Sequence, residues 1–276
     1  MASLLKKLDK LYAGCNTRLT PQGNCVIFSD MHRSDGSTSD FFYHNSHIYL
    51  AALRHYYQYH YTLVELGDGD ELWKNKRIEV IKDIYREIFE TIDNFRDRQQ
   101  YYEFAGNHDI SKLDRSYGSF YRTAVYESMK FVYGGVEFFL LHGHQADFFD
   151  STIWKVMRWV NYYPARILSK LGTAELTGPA KIYYKRNFIE KALIKFAQRN
   201  KTHVVCGHTH KPTLSPWDRY FNTGSSLHPN GITGIEFVGG EIKLVHWHET
   251  VVGSKVTVAR EILSSVTIDE IRSFEQ

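Results

Sequence analysis

Apolar and polar positions along the chain fall into two rhythms. Short, almost unbroken apolar runs recur at Cys25-Val26-Ile27-Phe28-Ser29, Tyr61 to Leu66, Tyr101 to Ala105, Val136 to Leu141 and His203-Val204-Val205. Runs of this length with no polar alternation predict strands covered on both faces. Between them the spacing changes to three and four. Ile78, Ile81, Tyr85, Ile88, Phe89, Ile92 and Phe95 predict one amphipathic helix over residues 74–98. Leu4, Leu5, Leu8, Leu11 and Tyr12 predict a short N-terminal helix that reaches the Pro21-Gln22-Gly23 turn, and further helices are expected at about 45–60 and 117–129. Phe131 to Val136 reads as a hairpin turning at Gly134-Gly135, and Ile232–Phe237 pairs with Glu241–His248 around Gly239-Gly240. The last 25 residues read as a peripheral strand and helix. The expected class is α/β.

One segment stands apart, roughly Gln145 to Lys201. Phe148, Phe149, Ile153, Trp154, Met157 and Val160 lie on one helical side, Gly172 to Pro179 is a loop, and a second helix is expected over about 180–198. From Lys155 to Lys201 there are eleven Lys or Arg against two Glu, a local net of +9 in a chain whose formal charge is +3. The remainder is therefore acidic on balance, so the segment differs in purpose. Three readings stay open: a helical pair packed on the main body, a cap over a site, or an interfacial helix that meets anionic lipid through residues 148–200. The cations give the only hint of nucleic acid, and the large apolar residues among them fit lipid better, so no nucleic-acid partner is expected.

The chemistry lies where the apolar runs stop. The first is followed by Asp30-Met31-His32, the second by Gly67-Asp68, the third by Gly106-Asn107-His108-Asp109, the fourth by His142-Gly143-His144 and the fifth by Cys206-Gly207-His208-Thr209-His210. Side chains two apart in an extended segment point the same way, and ligands of open α/β sheets bind beyond the carboxyl ends of the strands. Carboxylates, imidazoles and one amide without a thiolate suit a hard or borderline divalent metal. Seven such ligands exceed one tetrahedral ion and suit two ions about 3.5–4 Å apart that share a carboxylate, a pair that activates water and clamps the oxygens of a phosphoryl displacement. His203, His246 and His248 have no spacing that asks for more than a structural or exposed role.

The series Asp30-x-His32, Gly67-Asp68, Gly106-Asn107-His108-Asp109, His142-Gly143-His144 and Gly207-His208-Thr209-His210 resembles the calcineurin-like metallophosphoesterases, in that family's order. The resemblance implies two mixed β-sheets packed face to face and flanked by helices, a four-layer α/β/β/α fold, as one domain over residues 1–276 with 145–201 as a helical cap or insertion. Tyr220 to Ser225 resembles the family's strand and Asn-x-Gly-Ser turn, and it and the 232–248 hairpin are expected in the second sheet. It implies Asp30, His32 and His210 on a first ion, Asn107, His142 and His208 on a second, and Asp68 bridging; the family pattern favours His142 over His144 as the ligand. It also implies His108 as a non-ligand catalytic histidine, with manganese the expected metal and iron or zinc suited by the same donors.

Gly67-Asp68-x-x-Glu71-x-Trp73 is narrower and is similar to the UDP-2,3-diacylglucosamine pyrophosphatases. Glu71 is expected to orient His108, and Glu71, Trp73, Arg33 and His144 are the expected substrate contacts. That branch carries Arg in place of His108 and Gly-Asp in place of Gly143-His144. The implied substrate is a phosphoanhydride or phosphodiester, of which a nucleotide-linked lipid is one case and a soluble nucleotide or small phosphoester the alternative; a protein-binding scaffold is the non-enzymatic alternative. Cys15, Cys25 and Cys206 form no metal motif or disulfide framework, the N-terminus carries no signal-peptide run, and no stretch has about 20 uninterrupted apolar residues. The expected location is the cytoplasm, with peripheral contact at the inner face of the membrane.

Overall fold

The apolar runs fold as strands because both of their faces are covered. In the computed structural model, which describes residues 1–75, 77–114, 124–147 and 179–274, the chain begins α1 (Ala2–Gly14), β1 (Arg18–Leu19), β2 (Cys25–Phe28), α2 (Ser46–Gln58), β3 (Thr62–Leu66), α3 (Ile78–Ile84), α4 (Arg86–Asp97) and β4 (Tyr101–Phe104). It continues through β5 (Val125–Tyr126), β6 (Ser128–Tyr133), β7 (Val136–Leu141), α5 (Pro179–Asn200), β8 (His203–Cys206), β9 (Thr213–Ser215) and β10 (Tyr220–Asn222). It closes with β11 (Ile232–Val238), β12 (Glu241–Val252), β13 (Lys255–Thr267) and α6 (Ile268–Ser273).

Two mixed sheets result, one ordered β13-β12-β11-β2-β3-β4-β5 and the other β1-β6-β7-β8-β10-β9. Successive residues of each strand serve different layers. On β2, Val26 and Phe28 face Tyr49 and Tyr56 of α2, whereas Cys25 and Ile27 join Val64, Leu66, Phe104, Phe138, Leu140 and Val205 between the sheets. The rings of Phe131 and Phe138 from one sheet meet Phe237 from the other at 4.8 and 5.1 Å. On the far side, Leu4, Leu5 and Leu8 of α1 and Ile189, Leu193 and Phe196 of α5 cover Phe139 and Val204. The order helix, sheet, sheet, helix is the four-layer arrangement expected. It brings the carboxyl ends of β2, β3, β4, β7 and β8 to one rim, because those five strands run parallel within their sheets.

Several local expectations change. The helix over 74–98 is two helices that part at Tyr85, whose backbone leaves the helical region at φ −107°, ψ 36°. Its ring packs on Phe42 at 5.4 Å and its hydroxyl donates to Asp40, which holds that turn open. Over 117–129 the described part is strand: Val125 and Tyr126 pair with β4, and Ser128 onward pairs with β7. The 232–248 hairpin adds β11 to β2, while Tyr220–Asn222 pairs with β8, so the two pieces expected together lie in different sheets. The expected helix near 148–160 and most of the 172–179 loop lie outside the described residues. The second helix of that segment is α5, and its described half is a packed helix with Ala192, Leu193, Phe196 and Ala197 fully buried. All three cysteines are free and buried. Among the described residues no helix is long and apolar enough to cross a membrane.

Candidate metal centre

The donor side chains reach the rim through kinked backbone. Asp30, His32, Asp68, His208 and His210 all have left-handed φ, between 51° and 66°. Such values are uncommon for residues other than glycine and cluster where function holds the backbone against its preference. The i, i+2 pairs therefore converge through two left-handed residues each, and not through the alternation of an extended strand. Gly67 sits at φ 88°, and a Cβ there would lie 2.6 Å from Nδ1 of His142. Only glycine lets the Gly67-Asp68 turn pass that close to the imidazole.

Two clusters of donors form. Asp30, His32 and His210 make one, and Asp68, His142 and His208 the other, each with ligand atoms within 4.8 Å of one another. His210 Nε2 is 3.0 Å from Asp30 Oδ1, and His142 Nε2 is 3.1 Å from Asp68 Oδ2. His32 Nε2 spans the clusters, 3.8 Å from Asp30 Oδ1 and 3.6 Å from Asp68 Oδ2. Each carboxylate has one oxygen tied down and one aimed at the rim. Asp30 Oδ2 accepts from Ser29 Oγ and from the His208 amide at 2.9 Å, and Asp68 Oδ1 accepts from the His108 amide at 2.8 Å. Asp30 Oδ1, His32 Nε2, Asn107 Oδ1 and His142 Nε2 are buried with no hydrogen-bond partner, which buried polar atoms seldom tolerate unless something else satisfies them.

Electrostatics agrees with that donor set. Burial alone would raise the Asp30 and Asp68 carboxyls, but the surrounding imidazoles, His210 and His142 for Asp30 and His142 and His108 for Asp68, hold both well below the usual range. Burial pulls the His142 imidazole down, yet Asp68 and Asp30 outweigh it and push it up to about 9. Groups that bind protons this avidly around two ionised carboxylates bind divalent cations by displacing those protons. The residues fit a metal centre. His142 is also oriented for one: Nδ1 donates to the Leu66 carbonyl at 2.9 Å, so Nε2 is the nitrogen that faces the rim and the one whose proton a cation would displace.

Beside the clusters lies a cavity of about 450 Å³. His108, Glu71 and Trp73 line it together: His108 Nδ1 meets the Glu71 carboxylate at 2.9 and 3.0 Å, and the Trp73 ring stacks on the imidazole at 4.1 Å. Burial raises the Glu71 carboxyl, but His108, and then His32, hold it below the ordinary range, so it stays ionised against the ring. Ser34, Ser39, Phe41, Lys74 and Leu227 also line the cavity, and nothing in their spacing singles them out in the sequence.

Two expected substrate contacts are placed elsewhere. Arg33 is buried, with NH1 and NH2 on Glu65 at 2.7 and 2.8 Å and Nε on Asp70 at 2.7 Å. A guanidinium already forked onto carboxylates has no reach to the cavity, and Arg33 is not among its lining. His144 is buried behind His142 and His208, at ring distances of 5.5 and 6.4 Å, and lines no part of the cavity either.

Other residues that build the rim carry weaker sequence signals. Asp109 is fully buried and accepts from the amides of Gly106, Asp68, Gly69 and Asp70 at 2.7, 3.2, 3.0 and 3.3 Å. Asp147 brings a further buried carboxylate 3.8 Å from His208 Nε2. Glu190 of α5 accepts from Thr209 Oγ1 at 3.2 Å, and so ties the helix to the His208–His210 turn.

Comparison with known proteins gives one family. The family model described as Calcineurin-like phosphoesterase matches residues 24–212. No curated protein matches the chain. Among solved structures, vacuolar protein sorting 29 from Cryptosporidium parvum is 14% identical, with 88% of this chain and 98% of that one covered, at a TM-score of 0.41. A conserved uncharacterized protein, a predicted phosphoesterase, from Streptococcus pneumoniae is 14% identical over 87% of this chain and 100% of its own, at 0.36. The calcineurin-like phosphoesterase YfkN from Bacillus subtilis is 13% identical over 92% and 96%, also at 0.36.

Proposed function

The chain belongs to the calcineurin-like phosphoesterase family, and from that premise we propose that its rim is a two-cation centre that hydrolyses a phosphoanhydride or phosphodiester. The observation that carries this reading is the division of labour in the carboxylates: Asp30 Oδ1 and Asp68 Oδ2 face the imidazoles while the backbone and Ser29 occupy their other oxygens. On this reading Asp30, His32 and His210 would hold one ion, Asn107, His142 and His208 would hold the other, and Asp68 would serve both. Manganese is the expected metal, and iron and zinc suit the same donors. Two such ions, when bound, supply water of lowered pKa and neutralise the charge of the phosphoryl oxygens.

The protein's own groups do the positioning. Glu71 fixes the His108 ring through Nδ1, so Nε2 is the nitrogen left for the substrate, where it stabilises charge on or delivers a proton to the leaving oxygen. Trp73 covers one face of that ring and keeps water from it. Lys74 lines the same cavity and offers a cation to a phosphorylated substrate.

The finer proposal is a substrate of the UDP-2,3-diacylglucosamine type. The Gly67-Asp68-x-x-Glu71-x-Trp73 pattern supports it, as do the apolar Phe41, Trp73 and Leu227 in the cavity lining. A lipid of that kind would be met at a membrane surface, in keeping with a cytoplasmic location and contact through the basic 148–200 segment. His108 and His144, which differ from that branch's residues, favour the second reading, a soluble nucleotide or small phosphoester. Rates on UDP-diacylglucosamine, UDP-glucose and cyclic nucleotides, with His108→Ala alongside, test both. Preference for the acylated substrate supports the finer reading, equal rates without acyl chains remove it, and no turnover of any by the manganese-loaded chain contradicts the hydrolase itself.

A further inference from the structure

We propose a third metal site, separate from the rim, formed by His246, His248 and Glu261 for a borderline divalent cation of the zinc class. His246 and His248 stand two apart on β12, either side of the buried Trp247, so both imidazoles leave the same face of the sheet. Glu261 on β13 is the direct cross-strand partner of His246, and His248 lies opposite the small Ala259. One ligand atom from each of the three side chains lies within 4.8 Å of the other two. The two rings lie nearly parallel at 4.8 Å and 21°.

The surroundings look built around those imidazoles. His246 Nε2 donates to the Asn230 carbonyl at 3.1 Å, which assigns the ring proton and leaves Nδ1 with its lone pair, as carbonyls do behind ligating histidines. His248 Nδ1 is buried with no hydrogen-bond partner. The Asn230 carbonyl is held in place by a turn at Gly231, φ 129°, where a Cβ would collide with the Trp247 carbonyl and lie 2.9 Å from His246 Nε2. That turn is pinned from below by Asn45, whose Nδ2 donates to the carbonyls of Ser226 and His228 at 2.9 and 2.8 Å. In front of the histidines lies a cavity of about 720 Å³ that His44 and His47 also border. Two imidazoles and one carboxylate with open space beyond are a three-ligand set of the kind zinc takes with a water or a further ligand. The set is richer in imidazole than calcium or magnesium favour, and the other carboxylate at the cavity, Glu249, is paired with His47 Nε2 at 2.7 Å.

Zinc titration of the full chain against a chromophoric chelator tests this, with His248→Ala and Glu261→Gln measured alongside. The chain is expected to bind one more equivalent of zinc than the His248→Ala variant, and Glu261→Gln is expected to weaken that equivalent at least about 10-fold. Both variants should keep the manganese-dependent phosphoesterase rate and the thermal midpoint of the metal-free chain, so a folding defect is distinguishable from a lost ligand. If the rim reading fails, the one-equivalent difference still holds. Equal zinc stoichiometry and affinity in all three proteins overturns the site.

Discussion

Asp109 fastens the two loops that carry Asp68 and His108, and replacing it by asparagine measures how much that fastening contributes. Oδ1 accepts from the Gly106 and Asp68 amides and Oδ2 from Gly69 and Asp70, with Lys112 Nζ 3.0 Å from Oδ2. The amide of asparagine can offer an oxygen on one side only. Its NH₂ then faces two backbone N–H groups, or two and an ammonium, all buried. Hydrogen bonds to a charged acceptor are worth about 1.5–3 kcal/mol each, and breaking a buried ion pair costs about 3–5 kcal/mol. Lys112 keeps Asp70 and Glu103 as partners, which puts the expected loss near the low end, about 3 kcal/mol. That is a large share of the roughly 5–15 kcal/mol that holds a domain together. Because the Asp68 amide moves with it, cation affinity should fall about 10- to 100-fold as well. Urea unfolding in EDTA reads the first effect and manganese titration the second. A loss under about 1 kcal/mol with unchanged manganese affinity would refute the role given to Asp109.

Two further predictions concern the groups around it. Glu71→Gln keeps an acceptor near His108 Nδ1 but removes the charge, so kcat should fall about 10- to 100-fold, within the range of general-acid effects, while KM moves little; steady-state kinetics across pH checks it, and an unchanged kcat contradicts the Glu71–His108 pairing. Asp70 titrates at about 2, because Arg33 and Lys112 outweigh the burial that would raise it. Its folded pKa lies below the ordinary value of about 3.9. The stability this contributes, about 2–3 kcal/mol by linkage, is therefore present above pH 4 and lost as pH falls towards 2. Urea midpoints of the chain and Asp70→Asn should differ by a constant amount above pH 4 and approach one another below it; a gap that persists at pH 2 contradicts the assignment.

The rim is legible in the sequence because five apolar runs that become core strands each stop at a donor residue, and parallel strands of one sheet end together. The local reason was not legible: Asp30, His32, His208 and His210 converge through left-handed backbone, a conformation that spacing does not reveal. The buried charge cluster beneath the rim was hidden for a different reason. Glu65 sits inside an apolar run and Arg33 at the start of a polar loop, and their pairing, 32 residues apart, exists only after β3 and the loop beyond β2 lie side by side. Tyr85 interrupts a helical spacing that is otherwise continuous, because its hydroxyl is wanted by Asp40, 45 residues earlier. The His246–Glu261 pair likewise depends on β12–β13 register, which hydrophobic pattern alone does not set where β13 is largely exposed.

The central claim is that residues from Asp30 to His210 meet around two cations. Anomalous diffraction at the manganese edge, from crystals of the manganese-loaded chain, tests it most directly. Two peaks about 3.5–4 Å apart are expected, with the Asp68 carboxylate between them, Asp30 and His210 on one and Asn107 and His142 on the other. A single peak, or none within reach of Asp68, would contradict it.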